Sequence, residues 1–203
     1  MAETALTTPT ETTSRSIPEY LVYETLNGRP LYRKGYKEVL ANLKTPEEIM
    51  GSSDLQAILV SILHGFLFGQ INRKKYLLAT SESGLHIASG NNLSNDIAIF
   101  DKDKVTIKGK YFDIPPKLVI EVDVKVDLTE FPARELDYFY EKTDRMLDFG
   151  IEKVIWITTK SRKIFTASRT TPWLTQNWDT DVTILDDCVL NLARLLADEE
   201  VVF

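Results

Sequence analysis

Residues 117–159, "KLVIEVDVKVDLTEFPARELDYFYEKTDRMLDFGIEKVIWITT", decide the fold. Their first part alternates: Ile120, Val122, Val124 and Val126 fall on one side, Val119, Glu121, Asp123 and Lys125 on the other, which is the two-residue period of a strand over 117–126. "PARELDYFYEKTDRMLDFG" (132–150) then reads as a helix, with Pro132 tolerated in its first turn and Gly150 as its stop. "KVIWITT" (153–159) is a second apolar strand. Strand, helix, strand in this order predicts a crossover unit whose two strands lie parallel. The expected class is therefore α/β: a mixed β-sheet flanked by helices.

Working outward, "SSDLQAILVSILHGFLFGQ" (52–70) has apolar residues at steps of three and four, with Ser53 as N-cap and Asp54 in the first turn, and predicts an amphipathic helix. Strands are expected at 75–81, 84–89, 96–100 and 163–168, short helices near 35–43 and 190–198, and a turn at Asn27-Gly28. Residues 1–16, rich in Thr and Ser, read as a disordered tail. That leaves 17–203 as a single domain.

The bulk numbers exclude several classes. The 203 residues are 43% hydrophobic and 27% charged, with a net charge of −6, so nucleic acid is not the partner that bulk charge suggests. A local excess does exist: between 101 and 117 five lysines stand against three aspartates, and "NRKK" lies at 72–75. One cysteine, Cys188, and two histidines, His64 and His86, exclude a disulfide framework and a zinc motif. His64 reads as a packed or partly exposed histidine, and Trp156, Trp173 and Trp178 read as packing residues. No apolar run reaches the length of a membrane span and no secretory signal opens the chain, so the expectation is a cytoplasmic protein without a membrane partner.

The charged side of 117–126 carries the chemistry. Same-side neighbours on a strand stand about 7 Å apart, so Glu121, Asp123 and Lys125 are expected to converge. The helix at 132–149 should cover one face of this strand, and covered charges need partners or a metal. Asp96 heads another strand; if the two strands are neighbours it reaches the same place. Clustered carboxylates without histidine or thiolate favour Mg²⁺ or Mn²⁺. A lysine beside such a metal can orient a water or stabilise charge on a phosphorane-like transition state.

"NDIAIF", "PPKLVIEVDVKVDL" and "EKTDRMLDFGIEKVIWI" together resemble the Uma-two family of restriction-endonuclease-like proteins, within the PD-(D/E)XK nuclease superfamily. Asp96, Glu121, Lys142, Gly150 and Trp156 match its pattern, and the likeness covers roughly residues 20–200. The resemblance implies a restriction-endonuclease-like core, Mg²⁺-dependent hydrolysis of phosphodiester bonds in DNA, and a homodimer. It implies Asp96 and Glu121 as metal ligands and Glu82 or Glu47 as an additional acid. The usual acid-x-lysine register is displaced: Asp123 stands two residues after Glu121, whereas Asp123-Val124-Lys125 keeps the register. The metal set is thus drawn from Asp96, Glu121 and Asp123, and the lysine is Lys125 or Lys142. The alternatives are a catalytically inactive nuclease-like scaffold that binds DNA or protein as a dimer, and a solvated acidic sheet face.

Overall fold

A computed structural model describes residues 17–202; the tail expected at 1–16 lies outside the described residues. The elements are β1 (Val22–Leu26), β2 (Arg29–Tyr32), α1 (Tyr36–Leu40), α2 (Glu47–Met50), α3 (Asp54–Gln70), β3 (Tyr76–Ala88), β4 (Asn91–Asp101), β5 (Leu118–Val122), α4 (Glu135–Phe149), β6 (Lys153–Thr158), β7 (Lys163–Ser168), β8 (Leu174–Asn177), β9 (Val182–Leu185), β10 (Cys188–Leu190) and α5 (Leu192–Asp198). This is the mixed α/β architecture expected.

The main sheet runs β2-β1-β4-β5-β6-β7-β8, with β3 also paired to β4. β5 and β6 are parallel, with Glu121 opposite Trp156, as the crossover unit requires. The other ladders of this sheet are antiparallel. Alternation sends Ile97, Ile99, Leu118, Ile120, Ile155 and Ile157 to a core under α3 and α5, and Ala98, Phe100, Val119, Val154 and Trp156 to a core under α4. α3 starts where expected, Ser53 Oγ accepting from the Gln56 N–H. α4 stops at Gly150, whose φ of 115° suits a residue without a Cβ. Glu47–Gln70 is long and apolar enough to meet the composition of a membrane span, but it is interrupted at Gly51, and Leu59, Leu63 and Leu67 are buried against the sheet.

Several expectations need correction. The strands at 75–81 and 84–89 form one long strand, β3, bulged at Ser81-Glu82 where both residues have positive φ. Pro132 precedes α4 rather than opening it. Most consequentially, β5 ends at Val122. Asp123 adopts φ 54°, and its carboxylate accepts from the Thr159 N–H (2.8 Å) and Oγ1 (2.6 Å). Asp tolerates the left-handed region because its side chain bonds locally. The turn breaks the alternation, so Glu121, Asp123 and Lys125 do not share one strand face.

β4 forks the sheet. Its beginning pairs with β1 at Asn92, and its later part pairs with β5 from Ile97 onward. Between these ladders, at Ser94–Asp96, the edge of β4 away from β3 meets neither strand. Buried backbone groups there still need partners, and charged side chains supply them.

Candidate active site

Two charge clusters fill the fork. In the inner one, Lys142 on α4 places Nζ 3.0 Å from Glu24 Oε2, 3.0 Å from Glu121 Oε1 and 2.8 Å from the Ser94 carbonyl. Glu24 on β1 also accepts from the Ser94 N–H (3.2 Å) and from the Tyr138 hydroxyl (2.6 Å). All three charged residues are buried, Lys142 being 1% exposed. Trp156 Nε1 donates to Thr143 Oγ1, and the Trp156 and Tyr138 rings flank the ammonium at 5.6 and 5.7 Å. α4 is placed for this by its apolar face, since Phe139 stacks on Trp156 at 4.3 Å.

In the outer cluster, Lys125 Nζ lies 2.6 Å from Asp96 Oδ1 and 2.9 Å from Glu82 Oε1. Asp96 is oriented by the Val122 N–H (2.8 Å) and by Gln56 Nε2 of α3, at 3.3 Å from both oxygens. Gln56 also donates to the Val122 carbonyl, pinning α3 to the end of β5. The β3 bulge turns Glu82 toward Lys125, and Arg33 lies 3.9 Å from Glu82. A cleft of about 930 Å³ opens here, lined by Arg33, Gln56, Glu82, Asp123, Lys125 and Thr159 among others. A smaller hollow of about 260 Å³ adjoins Asp96, Glu82, Lys125 and His64.

Thus the structure gathers Asp96, Glu121, Lys125, Glu82 and Lys142 around the fork. Asp123 borders the cleft but is committed to Thr159, and Glu47 stands exposed on α2 and does not line the cleft. Of the basic loop, Lys104, Lys108 and Lys117 are paired with Asp101, Asp113 and Glu152. Trp156 and Trp178 are buried packing residues, as read. Sequence reasoning missed Glu24. Its signal lay in "VYETL": Glu24 and Leu26 share one face of β1, and Leu26 is fully buried, so Glu24 also points inward.

Comparison with known proteins adds the fold. No family model matches the chain, and no curated protein matches it. Among solved structures the chain is similar to a "putative nuclease belonging to DUF820" from Anabaena variabilis, at 13% identity, over 86% of this chain and 89% of that one, with a TM-score of 0.59. The two chains share the mixed α/β fold. At this identity the likeness extends to architecture only, and the residue assignments rest on the geometry above.

Electrostatics separate the two clusters. Burial pushes the Glu121 carboxyl up to about 8, against the pull of the Lys142 ammonium. Burial alone would lower Lys142, yet Glu121 and Glu24 hold it above its usual range. The direction that stands for Glu121 is upward. Lys142 stands at the same ion-pair distance, 3.0 Å, from Glu24 Oε2 and Glu121 Oε1, but Glu24 also accepts from the Ser94 N–H and the Tyr138 hydroxyl, whereas Glu121 Oε1 accepts no hydrogen bond. Lys125 is likewise desolvated, but Asp96 and Glu82 raise it. Tyr23 and Tyr138 are raised by burial and the surrounding acids and stay phenolic.

Proposed function

We propose that this protein is a metal-dependent nuclease that hydrolyses phosphodiester bonds in DNA at the fork between β1, β4 and β5. The observation that carries this reading is the convergence of Asp96, Glu82 and Lys125 on the hollow beside the cleft, with the Glu121–Lys142 ion pair in the same fork. The nuclease-like fold supports it.

The donor set fits Mg²⁺ or Mn²⁺. Among the described residues no three His, Cys, Asp or Glu side chains are gathered as a metal site. Mg²⁺ needs fewer, because it keeps several waters and takes one or two carboxylates. Asp96 and Glu121 would be that pair, and Glu121 Oε1 is a buried oxygen without a hydrogen bond. When bound, the metal would polarise the phosphate and lower the pKa of a coordinated water. The protein's own groups do the rest. Gln56 and the Val122 N–H fix Asp96. Lys125, with two N–H bonds on carboxylates, keeps one for a phosphate oxygen. Lys142 and Glu24 hold Glu121 in place.

Incubating the protein with plasmid DNA and Mg²⁺ or Mn²⁺ tests this, beside Asp96→Ala and Glu121→Ala. Wild type should cut, chelator should stop it, and both variants should fall by on the order of a hundredfold or more. Equal cutting by wild type and variants would trace the activity to a contaminant.

A second reading, an inactive nuclease-like scaffold that binds DNA or protein, is favoured by one observation: Asp96 and Glu121 are each only 3% exposed, and their lysines are already paired. Calorimetry in Mn²⁺ that shows no binding lost in Asp96→Ala would select it.

A further inference from the structure

Arg33 has no part in either charge cluster's tight bonds, yet it is built into the cleft. Its backbone is fixed: the Arg33 N–H donates to the Leu21 carbonyl (2.9 Å), and residues 32–34 are zipped to 125–127 by Lys34 N–H on the Lys125 carbonyl (2.8 Å), Asp127 N–H on the Tyr32 carbonyl (2.8 Å) and the Arg33–Val126 bridge. The same zipper therefore sets Arg33 and Lys125 side by side. Both cations rest on one ring, the guanidinium 5.1 Å and the ammonium 5.7 Å from the Tyr23 centroid. Both line the 930 Å³ cleft.

The guanidinium is under-bonded. Its side chain is only 20% exposed, Nε is buried without a hydrogen bond, Nη1 meets the Met50 carbonyl at 3.5 Å and Nη2 stands 3.9 Å from Glu82. Arg offers five donors in a planar fork, and unmet donors away from water are costly. The group that matches this fork is one with two acceptor oxygens in a plane, a carboxylate or a phosphate. Glu82, the nearest carboxylate, is turned to Lys125 at 2.9 Å and leaves Arg33 the longer contact.

We propose that Arg33 and Lys125, seated on Tyr23, receive the scissile phosphodiester, Arg33 gripping its two non-bridging oxygens. This deepens the nuclease reading and rests on it for the word scissile; the anion subsite itself does not depend on hydrolysis. Arg33 yields its long contact to Glu82 when the phosphate enters, while Lys125 keeps its bonds to Asp96 and Glu82 and adds a third.

The test is binding of a fluorescein-labelled DNA oligonucleotide, duplex and single-stranded, followed by anisotropy across a salt series. Ca²⁺ serves as the cation, being an oxygen-seeking ion. Arg33→Ala should weaken binding by on the order of tenfold or more and lower the salt slope by about one. Arg33→Lys should recover the slope but not the full affinity, because it restores charge without the fork. Should Arg33→Ala fail to fold, Arg33→Lys against Arg33→Gln carries the comparison, with Lys the tighter binder. Wild-type affinity and slope in every Arg33 variant overturns the subsite, as does a wild type that binds neither oligonucleotide at low salt. Cleavage in Mg²⁺ separates the two readings. Binding through Arg33 with no cleavage by wild type refutes hydrolysis and leaves the subsite standing. Wild-type cleavage and binding by Arg33→Ala refutes the subsite and leaves hydrolysis standing.

Discussion

Lys142 and Lys125 carry the same charge and each bridges two carboxylates, but they sit in opposite surroundings. Lys142 is enclosed at 1% exposure, with Glu24, Glu121, a carbonyl and two aromatic rings around it. Lys125 keeps 13% exposure, and its partners Asp96 and Glu82 adjoin the cleft and hollow. The contrast teaches that charge clusters at one fork divide by access to solvent. The inner set closes the break in the sheet, and the outer set meets what enters the cleft.

Removing each lysine probes that division most strongly. Lys142→Met leaves Glu24 and Glu121 buried without their counter-charge and should cost about 3–5 kcal/mol of stability, read from urea unfolding. Lys125→Met should cost only about 1–2 kcal/mol, because Asp96 keeps Gln56 and the Val122 N–H, but it should weaken DNA binding and cleavage far more than its stability loss. Equal stability losses would erase the distinction between inner and outer clusters.

The inner cluster also predicts a pH dependence. Glu121 has a folded pKa raised from 4.5 to about 8, so the folded chain holds that proton more tightly than the unfolded one. Stability from this group is complete below 4.5 and is lost as pH rises through about 8. Glu121→Gln imitates the protonated form at every pH. Its melting temperature in EDTA should therefore gain on wild type across that window; a gap independent of pH would mean that Glu121 is already ionised when folded. The smallest effect separates Asp123 from both clusters. Asp123→Ala strains a residue at φ 54° and should be less stable than Asp123→Gly by about 1 kcal/mol, since both lose the Thr159 bonds but only alanine has a Cβ.

Much of the fold was legible. The crossover from β5 through α4 to β6, the Asn27-Gly28 turn, the Ser53 cap and the Gly150 stop each rest on local chemistry visible in a few residues. That Asp96 reaches Glu121 and Lys125 was read only on condition that its strand neighbours 117–126, which β4 and β5 fulfil; Glu82 and Lys142 came in only through the family resemblance. The common strand face for Glu121, Asp123 and Lys125 was not correct. Alternation assigns faces only while a strand continues, and one left-handed residue ended β5 at Val122. Asp123 was thereby turned to Thr159, a partner 36 residues away. Glu24 was hidden for a related reason: a lone glutamate in a short hairpin strand looks solvated until the hairpin is docked over α4.

The sequence by itself determined the elements and their polarity, because helix caps, turns and apolar periods act between residues close in the chain. Only the tertiary structure decided which charge serves which purpose. Whether β1 and β5 leave a gap along β4, and which ammonium fills it, depends on how distant segments diverge. Desolvation then makes one lysine a bridge within the core and leaves its neighbour facing the cleft.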